Sequence, residues 1–267
     1  MRVRNLQKDK TYHYEVHSWP EDEESTSIIS ERKTFKTAPP DDAEFDFLFY
    51  GDSRYLVDVH SRLADRMIKD AKENDIHLVL HAGDIVNQGF IWEQWQTNFF
   101  EPAESLIAEV PLVPVPGNHE LNTELYYDYF DLPNNEAWYH MRYGIADIYA
   151  INSNVDYGVR SEQYKWLQSQ LATNTGRWKI VMIHHPPYSC AVGRKKEGRK
   201  LVRDIVPLLE AYDVDLVLLG HDHVYGRSAD LNGVHYIISG GGGSTLYNSK
   251  EDEYMIKCRK VFHYVRF

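Results

Sequence analysis

The chain has 267 residues, 43% of them hydrophobic, and a formal net charge of -11, so it can bury a large core and lacks a disordered composition. The acidic balance argues against a non-specific nucleic-acid binder, which needs a basic face. No apolar run reaches the length of a membrane-spanning helix, and no signal peptide opens the sequence. Much of the acidity lies in solvated stretches such as residues 21–24. Cys190 and Cys258 are too few for a disulfide framework, and one bridge or two free thiols are both open.

The first 40 residues read as all-β. Residues 11–17 alternate like a strand with one buried face, and residues 30–37 form a second strand before Pro39-Pro40. Two strands do not make a stable sandwich by themselves. The pattern predicts the end of a longer sandwich domain over residues 1–40, or else a hairpin that packs on the main domain, with residues 41–267 as the main domain.

From Phe45 onward the pattern changes to strands that alternate with helices. Helices are predicted over residues 57–73, 92–109, 161–171 and 202–212, with Pro102 as a break and Ser161 as an N-cap. Residues 138–152 predict a hairpin around Gly144, and residues 234–239 and 254–267 predict strands. The fold class is therefore layered α/β.

Five of the apolar strands end in a short polar motif that contains Asp, Asn or His. The motifs are Gly51-Asp52-Ser53-Arg54, His81-Ala82-Gly83-Asp84, Gly117-Asn118-His119-Glu120, His184-His185-Pro186-Pro187 and Gly220-His221-Asp222-His223. Sites in open α/β sheets lie beyond the carboxyl ends of the strands, so these motifs are expected to meet. Together they predict a metal site.

The candidate ligands combine carboxylate, amide and imidazole groups. They are Asp52, Asp84, Asn118, His184, His221 and His223. This mixture suits iron, manganese, zinc or nickel rather than calcium, which prefers oxygen alone. Six ligands exceed the needs of one tetrahedral zinc, whereas two metal ions that share a carboxylate would use them all. Paired metal ions suit the hydrolysis of phosphate esters.

In this order and spacing, the motifs resemble those of the calcineurin-like metallophosphoesterases, and within them the purple acid phosphatase branch. The resemblance covers the chain from Phe45 to its end. It implies two packed mixed β-sheets flanked by helices, preceded by a short all-β remnant. The upstream segment resembles the last two strands of a fibronectin type III domain, with Leu6 and Tyr12 as its tyrosine corner. By analogy with that branch, the protein is expected to be exported.

The resemblance also implies roles for individual residues. Asp84 would bridge two metal ions, and the remaining ligands would divide into Asp52 and His223 for one ion and Asn118, His184 and His221 for the other. His119 would contact the phosphate and stabilise or protonate the leaving oxygen. Hydrolysis would proceed by in-line attack of a metal-bound hydroxide without a phosphoenzyme.

Two positions depart from the family pattern. Asn87 stands where purple acid phosphatases have a tyrosine ligand, and Arg54 stands where other branches have a histidine. The first metal ion thus lacks its usual extra ligand, and no tyrosinate-to-iron colour is expected. Arg54 is a candidate for binding the phosphate through two parallel hydrogen bonds, and the alternative is that it forms a surface ion pair.

These features predict a metallophosphoesterase, an acid phosphatase-like hydrolase that acts on a phosphorylated small molecule, with phosphomonoester hydrolysis as the first expectation. The enzymatic alternatives are a phosphodiesterase and a nucleotide or phospholipid hydrolase. A metal-binding module with little turnover is the alternative outside the enzymes, because Arg54 and Asn87 weaken one metal position.

Overall fold

The structure is a computed structural model that describes residues 3–19, 27–173 and 175–267. The acidic stretch at residues 21–24 lies outside the described residues. The strands are β1 Thr11–Tyr14, β2 His17–Ser18, β3 Ile28–Ile29, β4 Lys33–Lys36, β5 Leu48–Tyr50, β6 Val79–His81, β7 Leu112–Pro114, β8 Tyr139–Tyr143, β9 Ala146–Ile151, β10 Trp178–Ile183, β11 Leu216–Leu219, β12 Tyr225–Ser228, β13 His235–Ser239, β14 Met255–Arg259 and β15 Val265–Arg266. The helices are α1 Val57–Asn74, α2 Trp92–Gln94, α3 Glu101–Ile107, α4 Glu124–Tyr129, α5 Glu162–Thr173, α6 Arg199–Asp204 and α7 Val206–Ala211.

Two mixed sheets form the centre of the main domain. One has seven strands in the order β14-β12-β13-β11-β10-β9-β8, and the other has four in the order β15-β5-β6-β7. Strands β9, β10, β11 and β13 are parallel in the first sheet, as are β5, β6 and β7 in the second. The antiparallel strands lie at the sheet edges. The carboxyl ends of the parallel strands therefore carry the loops that hold the motifs.

The two sheets share a buried apolar core. Its members include Phe49, Leu80, Met182, Leu218 and Ile237, drawn from strands of both sheets. Helix α1 buries its apolar face on the outer side of the four-stranded sheet, and helices α5 to α7 cover the outer side of the seven-stranded sheet. This arrangement confirms the predicted layered α/β fold with two packed mixed sheets and flanking helices.

The predicted helices form, but prolines divide two of them. The helix expected over residues 202–212 is two short helices, α6 and α7, because Pro207 has no N–H to bond to an earlier carbonyl. In the helix expected over residues 92–109, Pro102 lies in the first turn of α3, directly after a π-helical turn over Trp95–Phe100 that joins α2 to α3. Helix α1 ends at Asp75, which adopts a left-handed conformation with φ 56°.

The N-terminal strands pair with each other and contact the main domain. Strands β1 and β4 are antiparallel, with Tyr12 opposite Phe35, and the backbone N–H of Gln7 donates to the Tyr12 hydroxyl at 2.9 Å. Tyr14 donates from its hydroxyl to the Ala108 carbonyl at 2.7 Å. The first predicted strand is shorter than expected, because it ends at Tyr14 and a separate two-residue strand, β2, follows.

Cys190 and Cys258 form a disulfide with their Cα atoms 6.4 Å apart, which decides between the two alternatives that the sequence left open. Within the described ranges, no helix combines the length and the apolar character needed to cross a membrane.

Candidate metal centre

The five motifs meet at one edge of the paired sheets. Asp52, Asp84 and Asn118 follow strands of the four-stranded sheet, and His184 and His221 follow neighbouring strands of the seven-stranded sheet. Backbone hydrogen bonds tie the motifs together, since the N–H of Asp52 donates to the Gly83 carbonyl at 2.9 Å and that of Gly220 donates to the His184 carbonyl at 3.0 Å. The sheet order thus assembles residues that are far apart in the sequence.

Three of these polar residues have left-handed backbone conformations. The φ angles are 59° at Asp52, 54° at Asp84 and 66° at His221, a region that non-glycine residues rarely occupy. The Asp52 carboxylate holds one of these turns, because its Oδ2 accepts from the His221 N–H at 2.8 Å. Gly220 makes room for this contact, since a Cβ there would lie 2.8 Å from the same oxygen. The sharp turns direct the side chains toward a common point.

One part of the site, which we call the His184 half, consists of Asn118, His184, His221 and Oδ1 of Asp84. Nε2 of His184 lies 3.1 Å from Oδ1 of Asn118, 3.3 Å from Nδ1 of His221 and 3.3 Å from Oδ1 of Asp84. Ligand atoms about 2.1 Å from a shared ion lie roughly 3.0–3.4 Å from one another in octahedral or tetrahedral geometry. The spacing therefore fits a single metal ion.

Hydrogen bonds on the outer side fix which nitrogen of each ring faces this point. Nδ1 of His184 donates to the Ala82 carbonyl at 2.7 Å, which leaves Nε2 as an electron-pair donor on the inner side. A carboxylate oxygen of Glu197 lies 3.2 Å from Nε2 of His221, so Nδ1 faces inward in that ring. Nε2 of His184 and the oxygens of Asn118 and Asp84 are electron-pair donors, and a cation between them would offset their mutual repulsion.

The other part, which we call the Asp52 half, consists of Asp52 and His223, with the Asp84 carboxylate shared between the two halves. Nδ1 of His223 donates to the Thr245 carbonyl at 2.8 Å, and its Nε2 lies 3.5 Å from Oδ1 of Asp52. The Tyr247 ring stacks on the His223 ring at 4.3 Å. Oδ1 of Asp52 is buried and receives no hydrogen bond from any residue that the structure describes. A buried oxygen of this kind fits the ligand of a cation that the protein itself does not supply.

The Asp84 carboxylate lies between the two halves. Its Oδ1 accepts from the His119 N–H at 3.0 Å and faces His184, whereas its Oδ2 lies 3.3 Å from Nε of Arg54. The side chain is almost fully buried. Oδ1 thus faces the His184 half, whereas Oδ2 faces Arg54 and His119.

The site carries buried negative charge. Burial opposes protonation of His184, but the Asp84 and Asp52 carboxylates outweigh it and raise the pKa of that ring. Burial and the nearby Asp84 also raise the pKa of Glu120, which lies directly behind the site. The same field that favours a proton on His184 favours a metal cation in its place.

Glu120 fixes the turn that carries Asp84. One oxygen accepts from the N–H groups of Asp84 at 2.9 Å and Gly117 at 2.6 Å, and the other accepts from Ile85 at 2.8 Å. Sequence reasoning gave this residue no role of its own. Its position in the Gly117–Glu120 motif was a signal, because a carboxylate can hold several backbone N–H groups at the start of a turn.

His119 and Arg54 reach the same edge from the four-stranded sheet. Nδ1 of His119 donates to the Asn87 carbonyl at 2.7 Å, and its Nε2 points into the site, 3.9 Å from Oδ2 of Asp84. Arg54 donates from Nη1 to the side-chain oxygen of Asn87 at 2.6 Å. The two residues that depart from the family pattern therefore contact each other.

Arg194, from the loop after His184, is a second arginine at this edge. Its guanidinium contacts the His221 ring and donates from Nε to Asp222 at 2.6 Å. His185 also lies here, with its ring 4.2 Å from that of His221 and its Nδ1 2.7 Å from the Ser153 hydroxyl. No spacing rule in the sequence distinguishes these residues from others in the same loop.

The match to known proteins agrees with this geometry. A family profile described as calcineurin-like phosphoesterase matches residues 47–225, a range that includes all five motifs. The chain belongs to the calcineurin-like phosphoesterase family. The match begins at β5 and ends at β12, so it covers most of both sheets of this calcineurin-like phosphoesterase.

Plant purple acid phosphatases are among its relatives. The Fe(3+)-Zn(2+) purple acid phosphatase 12 of Arabidopsis thaliana is 27% identical over 270 residues, which cover 90% of this chain and 54% of the relative. Purple acid phosphatase 18 of the same plant is 29% identical over 193 residues, covering 62% of this chain and 43% of the relative. The chain spans about half the length of these curated relatives.

A solved structure shares the fold. The purple acid phosphatase PPD1 from yellow lupin (Lupinus luteus) seeds superposes with a TM-score of 0.83 at 21% identity, covering 99% of this calcineurin-like phosphoesterase and 56% of the lupin chain. The likeness includes the N-terminal strands as well as the two sheets.

Proposed function

We propose that this protein is a metal-dependent phosphomonoesterase with two metal positions. The observation that carries the proposal is the convergence of electron-pair donors around Nε2 of His184, at 3.1–3.3 Å, beside the buried and unpartnered Oδ1 of Asp52. Membership of the calcineurin-like phosphoesterase family supports it.

In this proposal each half of the site holds one metal ion. Asn118, His184 and His221 would hold one ion, Asp52 and His223 would hold the other, and Asp84 would be shared by both. When bound, the ions supply a water of lowered pKa and neutralise charge on the phosphoryl oxygens. The mixed oxygen and nitrogen donors accept iron, manganese, zinc and nickel.

His119 is the group that donates a proton to the leaving oxygen. Because the Asn87 carbonyl accepts from Nδ1, the ring is held with Nε2 toward the site, and a doubly protonated ring donates from that nitrogen. The His119 side chain is 30% exposed, so a substrate can reach it. The reaction then requires no covalent intermediate on the protein, in keeping with direct in-line attack by water.

Arg54 and Arg194 supply the preference for a monoester. Both guanidinium groups lie at the edge of the site, and their side chains are 14% and 23% exposed. A monoester phosphate carries one more negative charge than a diester, so fixed cations favour it. Arg54 retains N–H groups beyond those it directs to Asp84 and Asn87, because a guanidinium has five.

Turnover of two model substrates tests this function. Rates would be measured with p-nitrophenyl phosphate and bis-p-nitrophenyl phosphate, with manganese, zinc, nickel and iron in turn. We expect a higher kcat/KM for the monoester. Faster hydrolysis of the diester would indicate a phosphodiesterase instead. Absence of turnover with every metal would indicate a metal-binding module.

We also infer that residues 1–40 are fibronectin type III-like strands, followed by the phosphoesterase domain over residues 41–267, and that the protein is exported. The hydrogen bond from Gln7 to the Tyr12 hydroxyl supports the first point, and the Cys190–Cys258 disulfide suits an oxidising compartment. Limited proteolysis checks the boundary: a stable fragment that begins near residue 41 is expected, and first cleavage inside the main domain would contradict it.

A further inference from the structure

The two halves of the metal centre differ in what they offer a cation. In the His184 half, Asn118, His184 and His221 contribute a neutral donor atom each, and one Asp84 oxygen adds charge. In the Asp52 half, Asp52 and His223 face the site beside the Arg54 guanidinium. The His184 half also has an arginine nearby, but Arg194 contacts the outer nitrogen of His221 and is paired with the Glu197 and Asp222 carboxylates. Nε of Arg54 lies 3.3 Å from Oδ2 of Asp84, whereas His184 faces Oδ1 of the same carboxylate.

The Arg54 guanidinium has one hydrogen bond and one ion pair, and a further hydrogen bond fixes the main chain of this residue. Nη1 donates to Asn87 Oδ1 at 2.6 Å, Nε faces Asp84, and the main-chain carbonyl of Arg54 accepts from the Asn98 side chain at 3.0 Å. The side chain is 14% exposed, so it does not extend freely into solvent. The guanidinium therefore stays beside any cation that enters the Asp52 half.

The same contact also removes a donor from this half. The amide oxygen of Asn87 would be the fourth ligand atom from the protein, but it already accepts from Arg54. A metal ion bonded to Oδ2 of Asp84 would thus lie close to a like charge and would gain no ligand from Asn87. Both effects lower metal affinity mainly in the Asp52 half, because Arg54 faces Oδ2 of Asp84 whereas His184 faces Oδ1.

We propose that the guanidinium of Arg54 makes the ion of the Asp52 half weakly bound and exchangeable, whereas the His184 half retains its ion. The proposal rests on the metal assignment in the proposed function. It adds that the dinuclear form depends on the free metal concentration. At low free metal, the Asp52 half holds Arg54 as its only cation among the residues that the structure describes.

Metal stoichiometry tests the proposal without any measurement of turnover. The purified protein is loaded with zinc, passed through a desalting column into a buffer of fixed free zinc, and assayed for zinc per chain by mass spectrometry. We expect about one ion per chain, and a second that binds at least about tenfold more weakly in titration calorimetry. Two ions of equal affinity would overturn the proposal.

Variants of Arg54 test whether its guanidinium causes the weak metal binding in the Asp52 half. Arg54→Ala is expected to raise the affinity of the weak position by at least about tenfold, whereas Arg54→Lys, which keeps the charge, is expected to leave it weak. Arg62→Ala is the matched control, because Arg62 is an exposed arginine on α1 that donates to the Asp58 carbonyl. An Arg54→Ala protein with unchanged zinc binding would show that the guanidinium is not the cause.

A second variant covers the case in which loss of Arg54 disturbs folding. Asn87→Asp has nearly the same shape, neutralises the guanidinium and adds a carboxylate to the Asp52 half. It is expected to bring the retained zinc close to two ions per chain, and no gain would count against the proposal. Failure of the proposed function would appear differently, as absent hydrolysis in a protein whose zinc stoichiometry still responds to Arg54 and Asn87.

Discussion

The His184 half and the Asp52 half of the metal centre are built alike but face different surroundings. Each places donors at the carboxyl ends of buried strands, and each fixes a histidine ring through a backbone carbonyl, at 2.7 Å for His184 and 2.8 Å for His223. The difference lies beyond these ligands: Arg54, beside the Asp52 half, faces Asp84 and bonds to Asn87, whereas Arg194, beside the His184 half, is paired with Glu197 and Asp222. The comparison teaches that side chains just outside a motif can change the affinity of a metal position without altering its ligands.

The largest expected effect comes from Asp84, because both halves share it. Asp84→Asn replaces a charged bridge with an amide. We expect turnover of p-nitrophenyl phosphate to fall more than about 100-fold, since even groups around metal ligands are worth 10–100-fold. Bound metal should fall in both halves. Asp128→Asn, an exposed aspartate on α4, is the control. A variant with full metal content and turnover would remove Asp84 as the bridge.

Paired substitutions in the two halves separate them directly. His184→Asn is expected to abolish the retained ion, so that desalted protein carries almost none. His223→Asn is expected to keep about one ion per chain and to slow turnover even with excess metal, with losses beyond about tenfold in both variants. Circular dichroism checks that both proteins are folded. Equal loss of metal from the two variants would mean that the halves do not differ.

Substitution of His119 tests protonation of the leaving group rather than metal binding. His119→Ala is expected to lower kcat by on the order of 10²–10⁴-fold while bound metal stays unchanged. The loss should be smaller for p-nitrophenyl phosphate than for an alkyl phosphate, because a nitrophenolate leaves without much protonation. The exposed His235 on β13 provides the control, as His235→Ala. Equal losses for both leaving groups would argue against proton donation by His119.

The smallest expected effect concerns Glu120, whose carboxylate holds the turn that carries Asp84. Glu120→Gln turns one oxygen that accepts backbone N–H groups into a donor, so we expect a loss of about 1–3 kcal/mol in the free energy of unfolding. Denaturant titration measures this loss. Glu124→Gln, at an exposed position in the first turn of α4, should change it little. An unchanged unfolding midpoint in Glu120→Gln would show that the carboxylate does not hold the turn.

Much of the fold was predictable because its patterns are local. The amphipathic spacing over residues 57–73 indicated α1, which spans Val57–Asn74, and the hairpin around Gly144 formed β8 and β9. The breaks within helices were harder to predict, because a proline such as Pro207 can either kink one helix or lie in the first turn of a second. The sequence offered no way to pair Cys190 with Cys258, since their distance depends on where β14 lies.

The candidate ligands were also evident from the sequence, because polar residues directly after buried strands point to the same sheet edge. Their partners were not evident. Glu120 holds the Asp84 turn through backbone N–H groups, and Arg194 reaches the His221 ring from a loop. Such contacts join residues by distance in space, for which a single sequence has no signal.

The sequence by itself determined the layered α/β class, the strand-end motifs and the kinds of donor atom at the site, because hydrophobic periodicity and residue chemistry act locally. Only the tertiary structure decided which ring nitrogen faces inward, which oxygen of Asp84 faces His184, and that Arg54 bonds to Asn87. These outcomes depend on distances of a few ångströms between segments far apart in the chain. Such distances are set by the packing of the two sheets.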